Sequence, residues 1–379
     1  MTSPVPRPTR RLAVLRSLLV IGLLYGFLVA IRLMGAAIKS VGEDTAGDLF
    51  SGVENPFAGL SVGVLATVLV QSSSTTTSTI VALVGQTGAG ALKLKAAVPM
   101  IMGANIGTTI TNTLVSIGHV RQGQEFRRAF AAATVHDFFN LACVALLLPI
   151  ELATGVLQHT AEWLTTLFVG SEGGATYNSP IKGAVKAGGK LVQGALEGLG
   201  LEGLTLSGGM LAVGIGLTIM CLILITRNMR ILISGPLERA LNNALGRSGL
   251  IGMALGAVLT VAVQSSSITT SLLVPLCAAG VLTLPNAFPI MLGANVGTTM
   301  TGLLASSATD NPAGLTIALV HVLFNLAGIL IFYPIPAVRH VPIRCAEFLA
   351  AKAQKNVGYL FAYVFGAFVL LPLLGYLVF

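Results

Sequence analysis

The stretch QSSSTTTS at residues 71–78 interrupts an apolar run, and a near copy of it, QSSSITTS, recurs at residues 264–271. Each copy directly follows an apolar segment, at residues 60–70 and 251–263. A polar run of this length is costly at membrane depth unless it is buried in protein or lines a watery cavity. Two such runs, one in each half of the chain, indicate a binding site between internal repeats.

The composition is that of an integral membrane protein. Hydrophobic residues make up 54% of the 379 residues and charged residues only 9%, against about 25% charged in soluble domains. The 44 glycines suit closely packed membrane helices. We therefore expect an all-α polytopic membrane protein with one membrane domain and no enzyme domain. The four cysteines show no CxxC spacing, so neither a disulfide framework nor a zinc site is expected.

The net charge of +8 comes from basic residues that flank apolar segments, most of them on one side of the predicted topology. This asymmetry is the positive-inside rule and does not indicate nucleic-acid binding. The first apolar stretch continues past Arg32, which is long enough to span the membrane. We interpret it as a retained helix and not as a signal peptide, with the N-terminus in the cytoplasm.

Hydropathy predicts seven spans and two hairpins. The apolar arms beside each polar tract are shorter than the roughly 20 residues that a span requires. We therefore expect two re-entrant hairpins, at residues 57–90 and 250–282, with a polar tract near each tip. The predicted spans are residues 17–38, 96–118, 129–148, 210–226, 287–306, 315–333 and 358–377.

The two halves carry the same motifs in the same order. A GAN-x-GTT motif at residues 103–109 recurs at 293–299, and each is expected to interrupt its span. The predicted units are an N-terminal helix with the first repeat (1–150), an extramembrane loop (151–209), a second repeat (210–336), and an interfacial segment with a C-terminal helix (337–379). The positive-inside orientation makes the second repeat inverted, with the first hairpin entering from outside and the second from inside.

A hairpin tip exposes backbone N–H groups at a helix start, and such ends bind anions without a cationic side chain. Serine hydroxyls add hydrogen-bond donors, so the tips are expected to hold a small oxyanion. Alternatively, the hydroxyls bond back to carbonyls of their own helix. The candidate anion-binding residues are Gln71, Ser72, Ser73, Ser74, Ser265, Ser266 and Ser267.

The GAN-x-GTT motifs have two interpretations. Their glycines, spaced as in GxxxG, favour close helix packing. Their amide and hydroxyl oxygens suit Na⁺, and co-bound cations would offset the charge of an anion, because no Lys or Arg lies in either hairpin. The candidate sodium ligands are Gln71, Asn105, Thr109, Gln264, Asn295 and Thr299. No organic cofactor is expected.

Five further polar residues within the predicted spans are candidates for an accessory role. Asp137 is the one acid well inside an apolar span, and an ionisable residue there is a functional candidate, although Val322 occupies the equivalent place in the second half. His136 could pair with it locally. His136 and Asn140 match His321 and Asn325, which are predicted to form interhelical hydrogen bonds or, second, to line the site.

The stretches VLVQSSSTTTS, PMIMGANIGTTITNT, FRRAFAAATVHDFFN, VQSSSITTS and LGANVGTTMT resemble the type II sodium-dependent phosphate cotransporters. The resemblance implies sodium-driven uptake of inorganic phosphate by alternating access, with substrate and ion sites at the QSSS tracts and the adjoining unwound segments. The loop between the repeats lacks the cysteines and the glycosylation sequon of animal members, which favours a bacterial inner-membrane protein.

The expected partners are inorganic phosphate, Na⁺ and the lipid bilayer, and a homodimer is one assembly that we consider. Two alternatives stay open from the sequence. One is a Na⁺-coupled transporter of another oxyanion, such as arsenate, sulfate or a carboxylate. The other is an anion channel or an auxiliary membrane subunit of a signalling complex.

Overall fold

A computed structural model describes residues 10–41, 52–87, 91–169, 180–244 and 249–379. The described residues form helices and no strands. Within these ranges, six helical stretches are long and apolar enough to cross a membrane: Arg11–Ala37, Gln124–Thr154, Gly203–Met229, Leu284–Ser306, Ala313–Phe332 and Gly358–Val378. The expectation of an all-α polytopic membrane protein is therefore confirmed.

We number the helices in chain order. The first half contains α1 (Arg10–Val41), α2 (Pro56–Val70), α3 (Ser73–Val84), α4 (Leu94–Gly107), α5 (Ile110–Ile117) and α6 (Gln124–Thr154). Between the halves lie α7 (Val156–Val169) and α8 (Pro180–Gly198). The second half contains α9 (Gly203–Ala244), α10 (Gly249–Val263), α11 (Ser266–Ala278), α12 (Leu284–Ser306), α13 (Ala313–Phe332), α14 (Pro336–Lys355), α15 (Gly358–Phe365) and, after a π-helical turn, α16 (Leu371–Val378).

Helices α2 and α3 fold back on each other and form hairpin 1, whose tip (tip 1) is residues 71–74. The Leu92 N–H donates to the Leu83 carbonyl at 3.2 Å, and Gly59 packs against the carbonyl of Ala96. The start of α2 and the end of α3 therefore lie close together, and the polar tract forms the opposite end of hairpin 1.

Helices α10 and α11 form hairpin 2 in the same way, with residues 264–267 as tip 2. Thr260 in the first arm donates a hydrogen bond to Thr269 in the second arm, at 3.0 Å between the hydroxyl oxygens. Gly252, near the start of the first arm, packs against Pro289 at the start of α12.

The first arm of each hairpin packs closely on the helix that carries the GAN-x-GTT motif. A Cβ atom on Gly103 would collide with the carbonyl of Leu60, and one on Gly293 would collide with that of Met253. Gly63 and Gly256 face the motif helices equally closely from the hairpin side. The glycines of both motifs therefore serve helix packing, which was one of the two interpretations of this pattern.

Only the first motif interrupts its helix. Helix α4 ends at Gly107 and α5 begins at Ile110, whereas α12 continues through the second motif. The expected interruption of the second span is therefore wrong. The two copies differ in their contacts just beyond the motif, because Asn112 accepts hydrogen bonds from Thr270 and Ser271, both at 3.0 Å. Gly302 stands at the equivalent position in α12 and has no side chain to make them.

Two segments expected to be loops are helical. The glycine-rich end of the region between the repeats forms α8, which Tyr25 of α1 contacts through a hydrogen bond to the Ala184 carbonyl at 3.0 Å. Helix α9 continues for 42 residues to Ala244, past the predicted end of its span near residue 226. Hydropathy marks the apolar part only, whereas the Arg, Leu, Glu and Ala residues beyond it are good helix formers.

The two hairpins open at opposite ends of α12. The Asn311 side chain, just after α12, donates to the Gln86 carbonyl at the open end of hairpin 1, at 2.8 Å. Arg128 donates two hydrogen bonds, at 2.8 and 2.6 Å, to the Ala278 carbonyl at the open end of hairpin 2. That end of hairpin 2 is connected by a short turn to the start of α12.

Candidate functional site

Both hairpin tips contain a glutamine in the left-handed backbone region. Gln71 and Gln264 each have a φ of 56°, and no other non-glycine residue in the described part of the chain has a positive φ. An L-residue in this region costs roughly 1–2 kcal/mol. Such a conformation persists only where the surrounding structure holds it, and it is often found at functional sites.

The two glutamine side chains make equivalent hydrogen bonds. The Gln71 amide donates to the Val68 carbonyl at 2.6 Å, and its oxygen accepts from Thr111 at 3.2 Å. Gln264 donates to Val261 at 2.7 Å and accepts from Thr301 at 3.2 Å. Each amide oxygen has a second lone pair that could contact an ion.

Sequence reasoning did not single out Thr111 and Thr301. They stand two residues after the GTT of each motif, so their recurrence at equivalent positions was the available signal. Their hydrogen bonds connect tip 1 to α5, just after the first motif, and tip 2 to α12, which carries the second motif.

The serines of the tips divide into two groups. The Ser72 hydroxyl caps α3 by accepting from the Thr75 N–H at 3.2 Å, and Ser265 caps α11 by accepting from the Ile268 N–H at 3.4 Å. The other predicted serines lie in the first turns of these helices, where backbone N–H groups have no intrahelical partner. These are Ser73, Ser74 and Ser266, which are buried, and Ser267, which is half-buried.

Helix α5 connects the two hairpins. Thr111 bonds Gln71 of tip 1, and the adjacent Asn112 accepts from Thr270 and Ser271, one turn beyond tip 2. The polar parts of both hairpins therefore meet on neighbouring residues of one short helix.

A buried network of histidines and asparagines links the two halves. His136 contacts Asn295 at 2.5 Å, and the Asn295 amide donates to Asn140 at 2.8 Å. In the mirrored arrangement, His321 approaches the Asn105 oxygen at 3.5 Å. Asn140 also donates to the Asn105 backbone carbonyl at 2.9 Å, and Asn325 donates to the His321 carbonyl at 2.9 Å. His136, Asn140 and His321 therefore make the predicted interhelical hydrogen bonds, whereas the described hydrogen bond of Asn325 stays within its own helix.

The predicted sodium ligands are consequently spread over two places. Gln71 and Gln264 lie at the tips, whereas the Asn105 and Asn295 side-chain oxygens face the histidines of the opposite half. The Thr109 and Thr299 hydroxyls donate to carbonyls of their own segments at 3.1 and 2.7 Å. Their oxygen lone pairs remain available to a cation.

Asp137 is fully buried in α6 beside the break between α4 and α5. One carboxylate oxygen accepts from the Tyr363 hydroxyl at 2.9 Å, and the other has no hydrogen-bond partner. Thr109 of the first motif is a neighbour of this carboxyl group. The predicted local pairing with His136 is absent from the described contacts of Asp137, because the His136 ring bonds Asn295 across the halves.

Other buried oxygens near hairpin 1 also have no hydrogen-bond partner. They are the hydroxyl oxygens of Thr67, Ser78 and Thr113. Within the described ranges, no group of three or more His, Cys, Asp or Glu side chains could hold a metal ion. Neutral oxygens of this kind are suited to an alkali-metal ion and not to a tightly bound transition metal.

Comparison with known proteins gives one consistent result. The model of the Na+/Pi-cotransporter family matches residues 27–167 and 212–339. Sodium-dependent phosphate transport protein 2A of Rattus norvegicus is 34% identical over 97% of this chain and 69% of its own length. Protein 2B of Homo sapiens is 34% identical over 94% of this chain and 64% of its own length. No solved structure matches. Because the family model covers both halves, including both tips and both motifs, the chain belongs to the Na+/Pi-cotransporter family.

Proposed function

We propose that this protein is a multi-pass membrane symporter that imports inorganic phosphate together with Na⁺. The observation that carries the proposal is the pair of QSSS tips, each with a left-handed glutamine before a serine-capped helix. The relatives at 34% identity are named as sodium-dependent phosphate transport proteins. A transporter of this type is not an enzyme, and no covalent chemistry is required.

Phosphate is proposed to lie between the two tips. Ser73 and Ser74 from one hairpin and Ser266 and Ser267 from the other offer hydroxyl donors and first-turn N–H groups. Helix starts carry partial positive charge and stabilise an anion there. Because α5 contacts both hairpins, an anion bound at one tip would also be attracted by the partial positive charge of the helix start at the other tip.

Na⁺ is proposed to bind the neutral oxygens beside these helix starts. Gln71 with Thr111 and Gln264 with Thr301 form two equivalent candidate positions. Asp137 with Thr109 forms a third that has no equivalent in the second half. Each cation offsets part of the charge of phosphate in a low-dielectric site, which makes binding of the two ions cooperative.

We infer that the halves, residues 1–150 and 210–336, are inverted repeats that support alternating access. Two features favour this inference: the hairpins open at opposite ends of α12, and each second arm packs on helices of the other half. The connecting region (151–209) and the C-terminal region (337–379) complete the membrane protein. We further propose an inner-membrane location with a cytoplasmic N-terminus, and a homodimer as the assembly to test.

Uptake of labelled phosphate into proteoliposomes tests the function. An inward Na⁺ gradient should drive accumulation above the equilibrium level, and an equal K⁺ gradient should not. Uptake that is unaffected when the Na⁺ gradient is collapsed would refute sodium coupling. Excess arsenate, sulfate or dicarboxylate in the same assay measures whether another anion is the preferred substrate.

A further inference from the structure

A small basic cavity lies outside the proposed transport site, where three helices of the second half begin. Its volume is about 190 Å³. Arg339 and His340 of α14 line it together with Asn286, Tyr333 and the backbone of Gly249. Among the described residues, no acidic side chain lines this cavity.

The geometry points to a binding site for a phosphate group in this cavity, carried either by an anionic lipid headgroup or by free phosphate. A phosphate group fits the volume and needs several donors around a concentrated negative charge. The cavity offers a guanidinium, an imidazole, a side-chain amide and a phenol. This site is separate from the QSSS tips and does not depend on the proposed transport function.

Arg339 is positioned for this role by an aromatic neighbour. Its guanidinium carbon lies 5.0 Å from the centre of the Tyr333 ring, an arrangement that orients the group by a cation–π contact. Arginine binds phosphate oxygens through paired N–H groups in a planar fork. The side chain is half-buried, so solvent screens it less than a fully exposed charge.

His340 adds a second, adjustable donor. Its Nδ1 atom contacts the Pro336 carbonyl at 2.6 Å, and because a carbonyl only accepts, Nδ1 carries the proton. The other ring nitrogen, Nε2, can accept a hydrogen bond from a protonated phosphate oxygen in the neutral ring and donates one in the imidazolium form. Gly249 and Pro285 line the cavity at the starts of α10 and α12, and the partial positive charge of these helix starts has the same sign as the Arg339 side chain.

The location of the cavity at the ends of membrane helices favours a lipid headgroup, and not free phosphate, as the carrier of the phosphate group. The cavity lies between the end of α13, at Tyr333, and the starts of α10 and α12. Basic pockets between membrane helices on the cytoplasmic side bind anionic headgroups. Gly249 belongs to the first turn of hairpin 2, so an occupied cavity would restrain the open end of this hairpin.

Native mass spectrometry of the purified full chain tests the lipid source. Phosphatidylglycerol is titrated against phosphatidylcholine, and retained lipid is measured for the wild type, Arg339→Gln and Arg344→Gln. Arg344 is exposed on the same helix and does not line the cavity. We expect phosphatidylglycerol binding to fall about fivefold or more in Arg339→Gln and to stay unchanged in Arg344→Gln.

A second experiment uses inorganic phosphate alone, in KCl without Na⁺, so that the proposed transport site contributes no binding. Phosphate binding that depends on Arg339 identifies free phosphate as the source, and lipid binding that depends on Arg339 identifies the headgroup. His340→Gln serves as the second variant if Arg339→Gln does not fold. The proposal would be overturned if Arg339→Gln and Arg344→Gln changed binding equally in both experiments, or if neither changed it.

Discussion

At the scale of single residues, the site depends on two glutamines that adopt the left-handed backbone conformation, which is usual for glycine. Each side chain compensates part of the backbone cost, because its amide caps the preceding helix and its oxygen accepts from a threonine. A glycine would remove the strain but also both hydrogen bonds. The choice of glutamine at both tips therefore indicates that the side chain itself is needed.

Substituting Gln71 by Gly and by Ala separates these two roles. We expect both variants to lose at least about tenfold in phosphate uptake, since both lack the side-chain oxygen. Gln71→Ala retains the left-handed strain, so it should be less stable than Gln71→Gly by about 1 kcal/mol. Uptake and thermal unfolding are measured in parallel, with Gln193→Ala in α8 as the control. Near-normal uptake in either Gln71 variant would remove this glutamine from the site.

Thr111 and Thr301 are predicted to position the glutamine oxygens. Thr111→Val and Thr301→Val keep the side-chain shape and remove one hydrogen bond each, which contributes about 1 kcal/mol. We expect the Na⁺ concentration for half-maximal uptake to rise by roughly fivefold to tenfold. The control is Thr160→Val in α7, whose hydroxyl bonds only its own helix among the described contacts. An unchanged Na⁺ dependence in both variants would contradict this role.

The sequence predicts the polar tips, but it does not predict how their residues are used. A polar tract inside an apolar run identifies Gln71 and Gln264 as tip residues. Their left-handed φ arises from the fold, because glutamine has no intrinsic preference for that region. The separation of Asn105 and Asn295 from the glutamines is also a tertiary effect, since it depends on histidines that lie far away in the chain.

At the scale of elements, each hairpin is held by a close seam of glycines. The seam pairs Gly63 with the backbone of α4 and Gly256 with that of α12, without room for a side chain. Such contacts allow neighbouring backbones to approach and to pack tightly in a membrane. The seam fixes the position of each tip along the neighbouring helix. In hairpin 1, this position allows Gln71 to contact Thr111 of α5, just after α4.

Gly63→Ala and Gly256→Ala should therefore be destabilising. The added methyl group would meet the carbonyls of Met100 and Ile290, and overpacking of this kind costs about 1–3 kcal/mol. Gly216→Ala in the membrane helix α9 is the matched control, because a Cβ there meets nothing within 4 Å. Thermal stability in detergent measures the difference. Equal melting temperatures for the three variants would show that the seam does not support the hairpins.

The predicted and observed helices differ where contacts with distant parts of the chain determine the local structure. The motif sequences at residues 103–109 and 293–299 differ only at Ile106 and Val296, so the sequence predicts the same outcome for both. The contacts that Asn112 makes with hairpin 2 have no equivalent in α12. Five of the seven predicted spans are single helices, and a sixth, Gly358–Val378, is helical with one π-helical turn, because long apolar runs determine spans locally.

At the scale of the whole molecule, the two hairpins open at opposite ends of α12, and we propose that they enter the membrane from opposite sides. Single cysteines in a cysteine-free background test this arrangement. We expect Lys95→Cys, after hairpin 1, to react with an impermeant maleimide in intact cells. Val281→Cys, after hairpin 2, should react only in inside-out vesicles, and both positions are exposed. Labelling of both positions from the same side would rule out inverted repeats.

We expect the two glutamine–serine tips to bind phosphate only together with Na⁺. Calorimetric titration of purified protein with phosphate, in NaCl and in KCl of equal ionic strength, tests it most directly. We expect a saturable binding event in NaCl that disappears in KCl and in the double variant Gln71→Ala with Gln264→Ala, whereas any binding that remains in KCl should depend on Arg339. Equal affinity in the two salts, or undiminished binding by the double variant, would contradict it.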